Sequence, residues 1–129
     1  MELNAAVLEQ APDAIIVTDA SGAILIWNRR ATEIFGFSME EVANGGLDLI
    51  IPKNLRVAHW RGFRSAMDAG KVKSPGKAAL TRATHKNGSK LYVELSFAVL
   101  SDTSNTATGS IAIARDVTAS RLAAAGREK

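Results

Sequence analysis

The sequence has no cysteine, only three prolines and 5% aromatic residues in 129 positions. Without cysteine, the chain forms no disulfide, holds no metal through thiolates and uses no cysteine nucleophile. No apolar run approaches the length of a membrane span, and Met1–Gln10 lacks the pattern of a signal peptide because it carries Glu2 and Glu9. We therefore expect a cytoplasmic domain that does not enter a membrane.

Acidic residues are scarce in one stretch of the chain. Between Lys53 and Lys90 there are ten lysines and arginines but one acidic residue, Asp68, although the net charge of the whole chain is only +3. Such a surface suits an anionic partner or the carboxylates of a cofactor. A run of basic residues is, however, more often simply a solvent-exposed face. No nucleic-acid-binding motif accompanies the charge, so we expect no nucleic-acid partner.

Residues 1–11 predict a short amphipathic helix that caps the domain. Leu3, Val7 and Leu8 have helical spacing, and Pro12 ends the segment. An isolated helix of this length is marginally stable. We therefore expect it to pack across a two-fold homodimer or onto the outer face of a sheet.

The rest of the chain predicts one α+β domain over residues 12–118. Two strand patterns come first, three helical patterns follow, and three more strands come last. Five antiparallel strands would form one sheet, and the helices are the material available to cover it. Strands are predicted at 13–19, 23–27, 77–86, 91–99 and 110–117, and helices at 29–35, 39–44 and 52–70. Residues 119–129 predict the start of a further helix, capped by Thr118.

The predicted helix at 52–70 carries the most informative face in the sequence. Leu55, His59, Gly62, Phe63 and Ala66 are three or four residues apart, so they share one side. That side is apolar apart from the imidazole of His59. The histidine is therefore either a ligand in the core or a packed residue whose ring nitrogen bonds a backbone carbonyl or water.

Two of the predicted strands alternate cleanly. In residues 91–99 the odd-numbered side chains are apolar, and we expect them to face the core. In residues 110–117, Ile111 and Ile113 lie on one side, while Ala112 and Ala114 lie on the other.

Several segments together resemble the PAS domain family. They are P-D-A-I-I-V-T-D (12–19), I-L-I-W-N (24–28), A-T-E-I-F-G-F-S-M-E-E-V (31–42), D-L-I-I-P (48–52), K-N-G-S (86–89) and A-R-D-V-T (114–118). The resemblance implies a five-stranded antiparallel sheet in the order 2-1-5-4-3 with helices over its concave face. It also implies a sensor that often dimerises and signals through the helix after its last strand to an effector domain or partner protein.

A closer resemblance concerns L-I-I-P-K-N-L-R-V-A-H (49–59). It is similar to haem-binding PAS domains of oxygen-sensing phosphodiesterases, in which the histidine of L-I-P-x-x-L-R-x-A-H is bound to the iron. The resemblance implies haem as cofactor and His59 as the metal ligand. It places the cofactor-binding wall at Phe63, Met67, Thr81, Leu95, Phe97, Ile111 and Ile113. This sequence departs from the pattern where Lys77 and Ala79 replace the distal methionine and arginine of those sensors.

Two classes of function remain open. One is a sensor whose core binds haem, for diatomic gas or redox sensing, or another small molecule; the other is a cofactor-free module for dimerisation or partner docking. A flavin photosensor of the cysteinyl-adduct type is excluded by the lack of cysteine. We expect no enzymatic activity, because helix caps and turns account for the carboxylates and no serine has an obvious histidine partner.

Overall fold

The computed structural model describes residues 1–73 and 75–127. Two short 3₁₀ turns, Leu47–Ile50 and Lys53–Leu55, precede the longest helix. The last two residues of the predicted C-terminal helix, 128 and 129, lie outside the described residues. The elements in chain order are α1 (Leu3–Gln10), β1 (Ala14–Asp19), β2 (Ile24–Trp27), α2 (Arg29–Phe35), α3 (Met39–Gly45), α4 (Arg56–Ala69), β3 (Ala79–Thr84), β4 (Lys90–Ser101), β5 (Ala107–Asp116) and α5 (Thr118–Arg127).

The five strands form one antiparallel sheet in the order β2-β1-β5-β4-β3. This confirms the predicted α+β fold and strand order. The first and last strands of the chain, β1 and β5, are paired at the centre of the sheet. The main core joins α2, α3 and the inner face of the sheet, with Phe35 and Val42 from the helices and Val93 from β4 each almost completely buried.

Helices α2 and α3 begin and end where the sequence predicts. The side chain of Asn28 accepts a hydrogen bond from the Ala31 amide, and Ser38 forms a capping box with Glu41. Gly36 ends α2 with φ of 83°, in the left-handed region that favours glycine. Helix α4 begins at Arg56, four residues later than Pro52, because residues 53–55 form a 3₁₀ turn.

Both terminal helices leave apolar side chains exposed. Helix α1 packs beside α2 and buries none of its own residues, and Leu3 is 74% exposed. Its packing across a dimer therefore stays a prediction. The sequence predicted that Thr118 caps α5, but its amide donates to Asp116 Oδ1 immediately before the helix. The Thr118 hydroxyl instead accepts from the Tyr92 amide and connects α5 to β4.

In the described part of the chain, every helix is too short or too polar to cross a bilayer.

The predicted facing of β4 is confirmed, but that of β5 is wrong. Leu91 and Val93 of β4 are buried, whereas Glu94 is exposed. Directly paired residues share a face, and Phe97 and Leu95 pair with the alanines of β5, Ala112 and Ala114 respectively.

Ile111 and Ile113 therefore lie on the outer face of the sheet, where Ile113 is 41% exposed. The correction has a simple physical reason. Both sets of β5 side chains are apolar, so alternation cannot say which set faces inward, and strand pairing decides it.

Candidate functional site

A cavity of about 420 Å³ lies between α4 and the inner face of the sheet. Its size is in the range of small-molecule sites, and its walls are mainly apolar. A second, more open groove of about 670 Å³ adjoins it, and the two share Ala58, His59, Phe63, Leu95 and Phe97. Any molecule in the inner cavity would therefore contact the same side chains that border the outer groove.

The structure brings together five of the eight residues predicted for the site. His59, Phe63, Thr81, Leu95 and Phe97 all line the inner cavity. The other three do not line it.

Met67 is half-buried but lines neither cavity. Ile111 and Ile113 are on the opposite face of the sheet, and their predicted place is taken by Ser110 and Ala112.

His59 is the unusual group in this cavity. Its Nε2 is buried and has no hydrogen-bond partner within the described residues. Burial lowers the pKa of His59, and the negative charge of Asp48 opposes this shift only in part. The side chain is thus a neutral imidazole that lines the cavity and has one ring nitrogen without a hydrogen-bond partner among the described residues.

Trp60 holds the neighbourhood of His59 in place. Its indole Nε1 donates to Asp48 Oδ1 at 2.7 Å, and its ring meets that of His59 edge to face with centroids 4.7 Å apart. The ring also packs on the β1–β2 turn, where a Cβ at Gly22 would lie 2.5 Å from a ring carbon. The bond to Asp48 joins residues twelve positions apart, and no local pattern in the sequence predicts it.

Two buried hydroxyl groups also line the inner cavity, and sequence reasoning missed both. Thr18 and Ser110 are 3% and 2% exposed, and their oxygens are 2.8 Å apart. They face each other because Thr18 of β1 pairs with Ser110 of β5. No local pattern could reveal this, since the pairing joins residues 92 positions apart in the sequence.

The basic residues between positions 53 and 90 have two different roles. Arg56 donates to the carbonyl oxygens of Ile51 and Asp48, which anchors the start of α4. Arg61, Lys71 and Lys73 instead line the outer groove, next to its apolar floor. They place positive charge at the mouth of the site without any acidic residue among the groove's lining residues.

The buried imidazole predicts a specific dependence of stability on pH. Because the folded-state pKa of His59 is lowered, the unfolded chain takes up a proton first as the pH falls below about 6.5. The contribution of neutral His59 to folding is therefore complete above that pH and is lost as the pH falls toward the folded-state value. As the pH falls below about 6.5, we therefore expect the free energy of unfolding of the wild type to decrease relative to that of His59→Gln. Urea titrations of both proteins between about pH 7.5 and 5 measure this change. If the unfolding free energies of the two proteins depended on pH in the same way, His59 would not be a buried neutral imidazole.

Comparisons with known proteins agree on one family. The family model described as PAS domain matches residues 12–119. The oxygen sensor protein DosP of Escherichia coli is 27% identical over 94 residues, which are 73% of this chain and only 12% of that protein.

Two solved structures show the same fold. A PAS domain from Colwellia psychrerythraea superposes with a TM-score of 0.76 at 24% identity, covering 90% of this chain and 95% of that one. The LOV protein of Rhodobacter sphaeroides gives a TM-score of 0.70 at 11% identity, covering 91% and 69% respectively.

Proposed function

The chain belongs to the PAS domain family, and on that premise we propose that its core cavity is the ligand site of a sensor and that the ligand is haem. The observation that carries the proposal is the buried Nε2 of His59, which has no partner among the described residues and belongs to a residue that lines an apolar cavity. The role would be sensing of oxygen, another diatomic gas or redox state. The similarity to a protein named as an oxygen sensor supports this choice.

The side chains around the cavity suit haem in three respects. His59 is neutral, which an imidazole must be to bind iron. Phe63, Leu95 and Phe97 supply the apolar surface that would exclude water from the macrocycle. The cations of the outer groove would neutralise its propionates.

When bound, haem would supply an iron position open to a small gas molecule. Met67 is not part of this proposal, because it lines neither cavity. Ala79 lines the inner cavity and brings no polar group, whereas Lys77 is exposed and does not line it. The residues of this chain would therefore act by holding the cofactor and shaping the space around it.

A second candidate function is that of a cofactor-free interaction module. The observation in its favour is the exposure of large apolar side chains on both terminal helices and on the outer sheet face. These are Leu3, Val7, Leu80, Ile113 and Leu122. Burial of such side chains in a homodimer or against an effector domain would stabilise the assembly. Cytoplasmic location and the lack of an enzymatic activity remain proposals under either function.

Haem titration distinguishes the two candidates. We expect the wild type to bind one equivalent of haem with a sharp Soret band, and His59→Ala to lose stoichiometric binding. His85→Ala is the matched control, because His85 is the other histidine and its Nδ1 accepts from the Asn87 amide at the β3–β4 turn. Equal, weak and non-stoichiometric binding by the wild type and His59→Ala would refute the haem proposal and favour the interaction module.

A further inference from the structure

The buried hydroxyl pair of the inner cavity has a defined hydrogen-bond direction. Thr18 Oγ1 lies 3.0 Å from the carbonyl oxygen of Asp19, which can only accept. The single proton of Thr18 is therefore used on that carbonyl. The contact of 2.8 Å between Thr18 and Ser110 must then be made with the proton of Ser110. Both contacts are satisfied only in this arrangement.

This direction leaves Ser110 as an acceptor inside the cavity. Its proton is committed to Thr18, and its Oγ makes no other hydrogen bond to the described residues. Close backbone contact keeps the pair together, since a Cβ at Gly109 would collide with the carbonyl group of Thr18.

We propose that Ser110 is a polar anchor through which the inner cavity of the haem-free protein selects a mainly apolar molecule carrying an N–H or O–H donor. The cavity's apolar walls would take the body of the molecule, and Ser110 Oγ would accept from its donor. A buried acceptor of this kind rejects an analogue of the same shape that lacks the donor. The proposal rests on the inner cavity being the ligand site, but not on haem being the ligand.

The test compares indole with benzofuran, two bicyclic molecules of nearly the same shape. Indole has an N–H group where benzofuran has an oxygen. Affinities for the haem-free protein are measured by two-dimensional NMR, from the shifts of backbone amides around the cavity. The readout is the indole-to-benzofuran affinity ratio, so that the different hydrophobicity of the two probes cancels between protein variants.

We expect this ratio to fall about 2- to 10-fold from the wild type to Ser110→Ala, the loss of one hydrogen bond. Ser96→Ala is the matched control, because Ser96 pairs with Ile113 on the outer face of the sheet, and it should keep the wild-type ratio. In Thr18→Val the proton of Ser110 loses its partner and can turn toward the cavity. That variant should gain affinity for benzofuran.

Two results would overturn the proposal. An equal affinity ratio in the wild type and Ser110→Ala would show that the cavity binds such molecules without the anchor. No shift with either probe would show that the cavity does not accept them. Neither result depends on the Soret titration, which decides the haem proposal separately. Thermal unfolding of each variant confirms that the folded protein is being compared.

Discussion

Replacing Asn28 with alanine should lower the free energy of unfolding by about 3–5 kcal/mol. The side chain is 1% exposed and makes four hydrogen bonds. Its Oδ1 accepts from the amides of Ala31 at 3.0 Å and Ile15 at 2.9 Å. Its Nδ2 donates to the carbonyl oxygens of Leu8 at 2.8 Å and Asp13 at 3.1 Å. One side chain thus joins α1, the start of β1 and the first turn of α2.

The size of the effect follows from what alanine would leave behind. Loss of an N-cap alone costs about 1 kcal/mol, and each buried polar group without a partner costs about 1–3 kcal/mol. The amide of Ile15 is buried, whereas the carbonyls of Leu8 and Asp13 are partly accessible to water, so the total stays below the sum of four full penalties.

Urea unfolding measures the change, and Ser38→Ala is the control because Ser38 caps α3 through local contacts only. A loss in Asn28→Ala no larger than in Ser38→Ala would show that the long-range bonds contribute nothing.

Asn28 also shows where sequence-based prediction succeeds and where it stops. Its position just before an amphipathic segment predicts the bond to Ala31, because capping is a local property of the chain. The bonds to Leu8, Asp13 and Ile15 depend on how α1 and β1 pass over the start of α2. Such bonds are set by tertiary structure, and no residue spacing encodes them.

The two strands β4 and β5 make the same point about register. In β4, Glu94 marks the outward face, so polarity alone fixes the facing of the strand. In β5, residues 111–114 are Ile-Ala-Ile-Ala, and both faces are apolar. The family resemblance implied Ile111 and Ile113 inside, but the alanines lie there. Ala112, which pairs with Phe97, lines the cavity, and its small side chain leaves room there.

The candidate site was predictable where one helix supplies it. The i, i+4 spacing of His59 and Phe63 places both at the cavity because helix geometry is regular. The hydroxyl pair of Thr18 and Ser110 required the β1–β5 pairing, which the fold supplies and the local sequence does not. The Trp60–Asp48 bond likewise joins α4 to a 3₁₀ turn twelve residues earlier.

Replacing Phe35 with alanine should destabilise the protein by about 3–5 kcal/mol, and replacing Phe97 with alanine should cost less, about 1–3 kcal/mol. Phe35 also lines the inner cavity, but it is only 1% exposed and packs against Trp27 with ring centroids 5.5 Å apart, within the main core. Phe97 is half-buried, stands between the cavity and the outer groove, and meets the Phe63 ring edge to face at 6.4 Å. Phe97 is the more exposed of the two side chains, so it has fewer contacts to lose.

The two phenylalanines therefore form a matched pair that tests whether the cavity is empty in the ligand-free protein. Equal losses in urea unfolding would mean that the side chains close around Phe97 in solution and that the cavity is not maintained.

If a ligand binds in the cavity, it stabilises the folded state by mass action, and the wild type should gain more stability from it than Phe97→Ala does. Repeating both titrations with saturating haem should thus widen the loss caused by Phe97→Ala, because that variant also binds the ligand less well. The loss caused by Phe35→Ala should change less, since Phe35 packs mainly within the core.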